Sequence, residues 1–236
     1  MQIKWNQIIA EIRSSSEAYL LAVSGGVDSI FMLHFMAKNS GKPLRVAHFN
    51  HGLRDQAVEE EQLLRKTCAD LGLECHVGYG EPDRMRAASS LEAEARSQRY
   101  RFFSTIKRPE ELLMTGHHAN DQLETIILRL MRGYPHDKLS MRKFAGSRYR
   151  PFLEVPKAAI LEQAKRRGYQ WMEDASNADS THERNWVRNE LIPEMSKRRN
   201  VLKSIVYTSA AAAADFSIDE EDFGDIEPAI AKAPNF

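Results

Sequence analysis

The chain has 236 residues and a mass of 27.0 kDa, with 42% hydrophobic and 28% charged side chains, enough for one generous α/β domain or one domain with an appendage. No apolar run approaches the ~20 residues of a membrane span, Met1 to Asn6 lacks the apolar stretch of a signal peptide, and Cys68 and Cys75 do not make a disulfide framework, so a cytoplasmic location without membrane contact is expected. The formal charge of zero hides a division, because residues 1–214 carry 32 basic and 26 acidic side chains, while seven acids and one lysine follow from Asp215 on.

Apolar runs at 19–24, 44–50, 73–78 and 112–116 read as strands. Each is followed by a helical pattern, at 27–38, 56–71, 91–106 and 119–132. This alternation predicts an α/β fold with a doubly wound, mostly parallel sheet and flanking helices, and places ligands in the crevice at the carboxyl ends of the strands. Residues 1–133 are expected to form this core. A basic loop and helical extension over 134–208 would complete it, with a helix beginning near Pro156 and a last helix from Glu183 to about Met195. The acidic stretch 209–236 has too little apolar surface to order itself. Cys68 and Cys75 read as small core residues.

The first chemical signal is Ser24-Gly25-Gly26-Val27-Asp28-Ser29, between an apolar strand and the amphipathic run from Ile30. Gly25 and Gly26 lack a Cβ, so their backbone can take positive φ and approach a ligand closely, while Ser24, Ser29 and the first N–H groups of the helix supply donors to a phosphate. Asp28 would repel that phosphate unless a divalent cation sits between them, which implies Mg²⁺ with Asp28 as its ligand. A plain strand-to-helix turn is the simpler alternative. His48, Asn50 and His51 close the second strand, and Gly116, His117 and His118 close the fourth, so three loops can converge on one pocket. The four histidines resemble a zinc set only loosely, since histidines at strand ends more often hydrogen-bond backbone or ligand.

Arg96 and Arg99 lie among small residues on the third helix, which lets it pack close to the pocket and present charge. Asp121 and Glu124 stand three apart at the start of the fourth, so their carboxylates share a face and can meet one cation or ammonium; a role with the helix dipole is the alternative. Arg184 and Arg188 are four apart, suited either to a phosphate or to surface ion pairs with Asp174 or Glu190. Basic clusters at Arg142, Lys143, Arg148 and Arg150, at Lys165-Arg166-Arg167 and at Lys197-Arg198-Arg199 suit a polyanion such as RNA, or a solvated surface.

The first loop resembles that of the PP-loop ATPases (the adenine nucleotide alpha hydrolase-like fold), which adenylate a substrate and release pyrophosphate. The ordered series from Tyr19 to Pro193 resembles the tRNA(Ile)-lysidine synthetase family: the loop, His48 to Arg54, Glu94-Ala95-Arg96 to Arg99-Tyr100, Gly116 to Thr125, Arg150-Pro151-Phe152, Asp174 to Asn177, and Arg184-Asn185. Thiolating relatives use a Cys-X-X-Cys pair or a catalytic cysteine, which Cys68 and Cys75 do not provide.

The resemblance implies a ligase that uses ATP and Mg²⁺ to adenylate C2 of the wobble cytidine of a CAU-anticodon isoleucine tRNA, after which free L-lysine displaces AMP. It implies ATP contacts from Ser24, Gly25, Gly26, Asp28, Ser29, His48, His51, Gly116 and His117. Charge on the leaving group would fall to Arg96, Arg184 and Arg188, catalysis also to Asp28 and Asp121, and lysine to Asp121 and Glu124 in either role, holding or deprotonating it. Asn120 stands where many relatives carry a second aspartate. Family members carry further C-terminal domains that grip tRNA, so gripping by 138–150 and the last helix alone would be modest and steeply salt dependent. A monomer or homodimer is expected.

Overall fold

In a computed structural model of the chain, residues 3–53, 56–172 and 183–204 are described. In chain order the elements are α1 (Trp5–Ser15), β1 (Ala18–Ala22), α2 (Val27–Asn39), β2 (Leu44–Asn50), α3 (Ala57–Asp70), β3 (Glu74–Tyr79), α4 (Pro82–Ala87), α5 (Leu91–Ile106), β4 (Glu111–Thr115) and α6 (Ala119–Met131). The short β5 (Phe144–Ala145) and β6 (Arg148–Tyr149), α7 (Lys157–Arg166), α8 (Glu183–Trp186), a π-helical turn over Val187–Leu191 and α9 (Ile192–Ser196) follow.

The strands form one sheet in the order β3-β2-β1-β4-β6-β5, parallel throughout except for β5 against β6. The chain thus forms the expected doubly wound sheet, with a small helical C-terminal extension. β1 pairs with β2 on one side and with β4 on the other, so the direction of winding reverses between β1 and β4. A crevice opens at the carboxyl ends of strands on either side of such a switch point. The loop after β1 and the loop after β4 both end there.

Strand cores read as continuous apolar runs because both faces are covered. Tyr19, Leu20, Leu21, Val46 and Met114 are fully buried. α2 lays Ile30, Phe31, Met32, Leu33 and Met36 into the main core, where Phe31 and Phe35 meet Phe152 edge-on at 5.4 and 5.2 Å. Burying each such ring contributes about 1.5–3 kcal/mol. Cys68 lies in this core with Cys75 packed against it, both as free thiols. Leu20, Ala47 and Leu113 of the strands pack in a second cluster with Met85 of α4 and Phe103 of α5. A third cluster sets Leu123, Ile127 and Leu128 of α6 against Val187 and Val201, which docks the extension on α6.

Candidate nucleotide and anion site

The loop after β1 is held from within. Ser29, buried at the start of α2, accepts from the Ser24 backbone N–H at 3.1 Å and donates to the Gly26 carbonyl at 2.9 Å, which closes the turn. Ser24 itself is exposed, its Oγ 3.2 Å from that of Ser29. Gly25 has φ +96°, a conformation that side chains rarely adopt. Gly26 differs from expectation: its φ is −73°, an ordinary extended N-cap, so positive φ explains only the first glycine. His48, buried, donates from Nδ1 to the Val23 carbonyl at 2.9 Å and pins the strand end. His51 stacks edge-on against Phe49 at 4.9 Å. Gly116 meets the loop from β4: a Cβ there would lie 3.1 Å from the Asp28 carbonyl oxygen.

Asp28 opens α2, where the helix dipole favours its charge. Its Oδ2 faces His118 Nε2 at 3.4 Å and Lys157 Nζ at 3.8 Å. Burial pushes its carboxyl up, but the hydrogen bond and charge of His118, with Lys157 and Arg188, outweigh burial and hold it below the usual range. Its Oδ1 is buried and has no hydrogen-bond partner among the described residues. A buried, ionised oxygen without a donor fits a cation. Among the described residues no group of three acids, histidines or cysteines could hold a metal; a magnesium ion is commonly held by one or two carboxylates and otherwise by water and substrate phosphates, which a lone Asp28 suits.

α6 starts on a reciprocal cap: the Asp121 N–H donates to His118 Nδ1 at 3.3 Å, and the His118 N–H donates to Asp121 Oδ2 at 3.0 Å. Burial pulls His118 down, but the bond to Asp28 and the charges of Asp121 and Asp28 raise it overall. One turn on, Glu124 is buried and fully engaged. Arg188 donates from Nε to Oε1 at 2.7 Å and from Nη2 to Oε2 at 2.9 Å, and Arg184 Nε donates to Oε2 at 3.1 Å. Asp121 Oδ1 lies 3.9 Å from Arg188 Nη2. The two acids do share a face, and the cation on which they converge is Arg188. This also alters the expected partner of the arginine pair: it is Glu124, while Asp174 lies outside the described residues together with the rest of 173–182 and Arg54.

The opposite wall is basic. Arg96 and Arg148 place their guanidiniums 4.7 and 4.9 Å from the Tyr100 ring centre, with Arg99 at 5.7 Å. Arg150 is buried and donates to the Arg142 carbonyl at 2.5 Å. Between the walls stands His117, its Nδ1 2.9 Å from Thr115 Oγ1. Burial and the charges of Arg150, Arg184 and Arg96 hold His117 well below its ordinary range, so it is neutral at pH 7. The other basic residues scatter. Lys143 pairs with Glu11 of α1 at 2.6 Å, Lys197 pairs with Glu194, and Arg142, Arg198 and Arg199 are exposed.

Three side chains at the site had no assigned role from sequence. His118 links Asp28 to Asp121, and the polar residue three before Asp121 was its signal. Lys157 stands in the first turn of α7, where the dipole disfavours a cation, and a broken local rule of that kind marks function. Asn120 accepts from the Lys157 N–H at 3.0 Å and so caps α7, which accounts for an amide at that position.

The PP-loop domain family model matches residues 1–195. The chain belongs to the PP-loop domain family. It is 35% identical over 202 residues to a tRNA(Ile)-lysidine synthase of Actinobacillus pleuropneumoniae (84% of this chain, 47% of the relative). It is 38% identical over 191 residues to one from Alkalilimnicola ehrlichii (78% and 43%). The chain thus spans less than half the length of these curated relatives. The fold is also that of the U34-tRNA thiolase NcsA from Methanococcus maripaludis, at TM-score 0.70 and 15% identity over 93% of this chain and 83% of that one. Among the described residues no helix is long and apolar enough to cross a membrane.

Proposed function

We propose that this protein is a ligase that attaches free L-lysine to C2 of the wobble cytidine of a CAU-anticodon isoleucine tRNA, consuming ATP and releasing AMP and pyrophosphate. The observation that carries the reading is the buried Oδ1 of Asp28 in the first turn of α2, without a hydrogen-bond donor among the described residues, together with Glu124 of α6, which holds two arginines. It stands in a chain 35–38% identical to tRNA(Ile)-lysidine synthases. The extension over 134–208 completes the site in this reading, since Arg148, Arg150, Lys157, Arg184 and Arg188 all come from it.

In the first step the cytidine O2 attacks the α-phosphorus of ATP, the bond to the bridging oxygen of pyrophosphate breaks, and negative charge grows on the leaving group. Ser24, Gly25, Gly26 and Ser29 cradle the phosphates at the N-terminus of α2. His48, His51, Gly116 and His117 line the nucleotide side. Arg184, Arg188 and Arg96 face the developing charge. Asp28 is the residue that would hold Mg²⁺, which when bound neutralises phosphate oxygens. In the second step the lysine ε-amine, having lost a proton, attacks C2 and the C2–O bond to AMP breaks. Both oxygens of Glu124 are taken by arginines, so Glu124 acts as a positioning residue for Arg184 and Arg188. Asp121, held by Arg188 only at long range, is the acid that meets the lysine ammonium. Arg142, Arg148, Arg150, Lys197, Arg198 and Arg199 supply charge for the tRNA, while Lys143 reaches it only by leaving Glu11.

The test is incorporation of labelled lysine into a CAU-anticodon tRNA with ATP and Mg²⁺, omitting each component in turn. Incorporation that requires tRNA, ATP and Mg²⁺, with one AMP released per lysine, is expected. Pyrophosphate release without lysine incorporation would overturn the choice of acceptor.

A further inference from the structure

Elsewhere among the described residues, three half-buried arginines have acids: Arg45 pairs with Glu111 and Glu74, and Arg184 and Arg188 pair with Glu124. Arg129, also half-buried, donates instead to the Lys138 and Ser140 carbonyls. The wall at Tyr100 breaks this pattern. Three guanidiniums lie within 5.7 Å of one phenol ring, from α5 (Arg96, Arg99) and β6 (Arg148), and Arg148 Nη1 reaches to 3.5 Å of the phenol oxygen. The charge of a fourth, Arg150, acts on the same phenol. Among the described residues no carboxylate forms an ion pair with Arg96, Arg99 or Arg148, and the charge of Glu92 acts on Arg99.

Like charges gathered where water is partly excluded repel one another, and the arrangement is stable at least cost when an anion sits among them. Among the described residues no carboxylate pairs with Arg96, Arg99 or Arg148 to supply it. His117, the next titratable group toward the nucleotide loop, is neutral, and the guanidiniums pull the Tyr100 phenol down against the effect of burial, as a place that favours negative charge does. Planar guanidiniums stacked on a phenol keep their N–H edges free to fork onto phosphate oxygens, and an aromatic face beside them suits an unstacked nucleotide.

We propose that Tyr100 with Arg99 and Arg148, beside Arg96, forms a phosphate-binding basin outside the glycine loop, filled by a backbone phosphate of the RNA beside the nucleotide that reacts. The identity of the RNA rests on the function proposed above; the anion site does not. Free pyrophosphate shares the chemistry, and separate titrations distinguish the two sources.

The experiment uses the full chain labelled with ¹³C in its tyrosine rings, with the Tyr100 signal assigned by Tyr100→Phe. It is titrated with a CAU-anticodon stem-loop RNA and, separately, with inorganic pyrophosphate. The RNA is expected to shift the Tyr100 signal. Arg99→Gln and Arg148→Gln are each expected to weaken RNA binding about tenfold and to reduce the slope of log K against log salt by about 0.7, with ATP affinity unchanged within twofold. A Tyr100 signal moved by pyrophosphate and not by RNA overturns the RNA assignment. RNA binding that leaves Tyr100 and both variants unaffected overturns the basin itself. Folding of each variant is checked by its unfolding midpoint, and the wild-type Tyr100 shift needs no variant to fold. RNA bound through the basin without lysine incorporation upholds this inference while the catalytic reading fails; lysine incorporation by Arg148→Gln at wild-type KM for tRNA does the reverse.

Discussion

The two walls of the crevice solve opposite electrostatic problems. On the α6 side the acids have partners among the described residues: Asp28 Oδ2 with His118 and Lys157, Asp121 with the cap of its own helix, Glu124 with two guanidiniums, while Asp28 Oδ1 is left for a cation. On the Tyr100 side the cations face an aromatic ring and one another. A wall that is balanced before any ligand arrives can hold geometry, and a wall with surplus charge is built to gain an anion. The same arginine chemistry thus serves positioning in one place and capture in the other, and the difference lies in whether a buried acid stands within reach.

The sharpest way to break this contrast is to make the balanced wall resemble the unbalanced one. Glu124→Gln leaves Arg184 and Arg188 facing each other across a neutral amide, and loss of one partner from a buried pair costs about 3 kcal/mol. The urea midpoint should fall with an unchanged m value, and lysine incorporation should fall with it. Gly116→Ala acts where the walls meet. A methyl 3.1 Å from the Asp28 carbonyl oxygen forces the loop back, at a cost of about 2 kcal/mol, and ATP affinity should drop more than RNA affinity. Asn120→Ala removes the cap that aims α7, and with it Lys157, toward Asp28; about 1 kcal/mol of stability should go, seen as a lowered Tm.

The smallest effect is the pH dependence at His117. Its folded pKa lies well below 6.5, so the unfolded chain binds the proton more readily. Its contribution to stability is therefore in place above about pH 6.5 and is lost as pH falls below that value toward the folded pKa. His117→Gln should flatten that part of the profile. An anion in the Tyr100 basin should move the His117 titration upward, which an NMR titration of the imidazole reads directly.

Much of the fold was legible because parallel strands buried on both faces leave apolar runs that sequence displays, as at 44–50 and 112–116. The helix α1 was not, since Ile12 is its one fully buried residue, and the two-residue strands β5 and β6 are too short to carry any period. At the site, what was local was legible: the Ser24–Ser29 loop and the shared face of Asp121 and Glu124. What was not local stayed hidden. Glu124 meets Arg184 and Arg188 across 60 and 64 residues, and Arg148 meets Tyr100 across 48, so no spacing rule could pair them. The extended φ of Gly26 shows the converse, a local signal that overreached.

In the proposed function the loop and Asp28 run an ATP-dependent step on a tRNA. Pyrophosphate release with Mg²⁺, ATP and a CAU-anticodon tRNA, measured for the wild type and for Asp28→Asn, tests it most directly. Release that requires the tRNA and falls at least about 100-fold in Asp28→Asn, with RNA affinity kept, is expected. Release that is indifferent to tRNA, or that survives in Asp28→Asn, would contradict it.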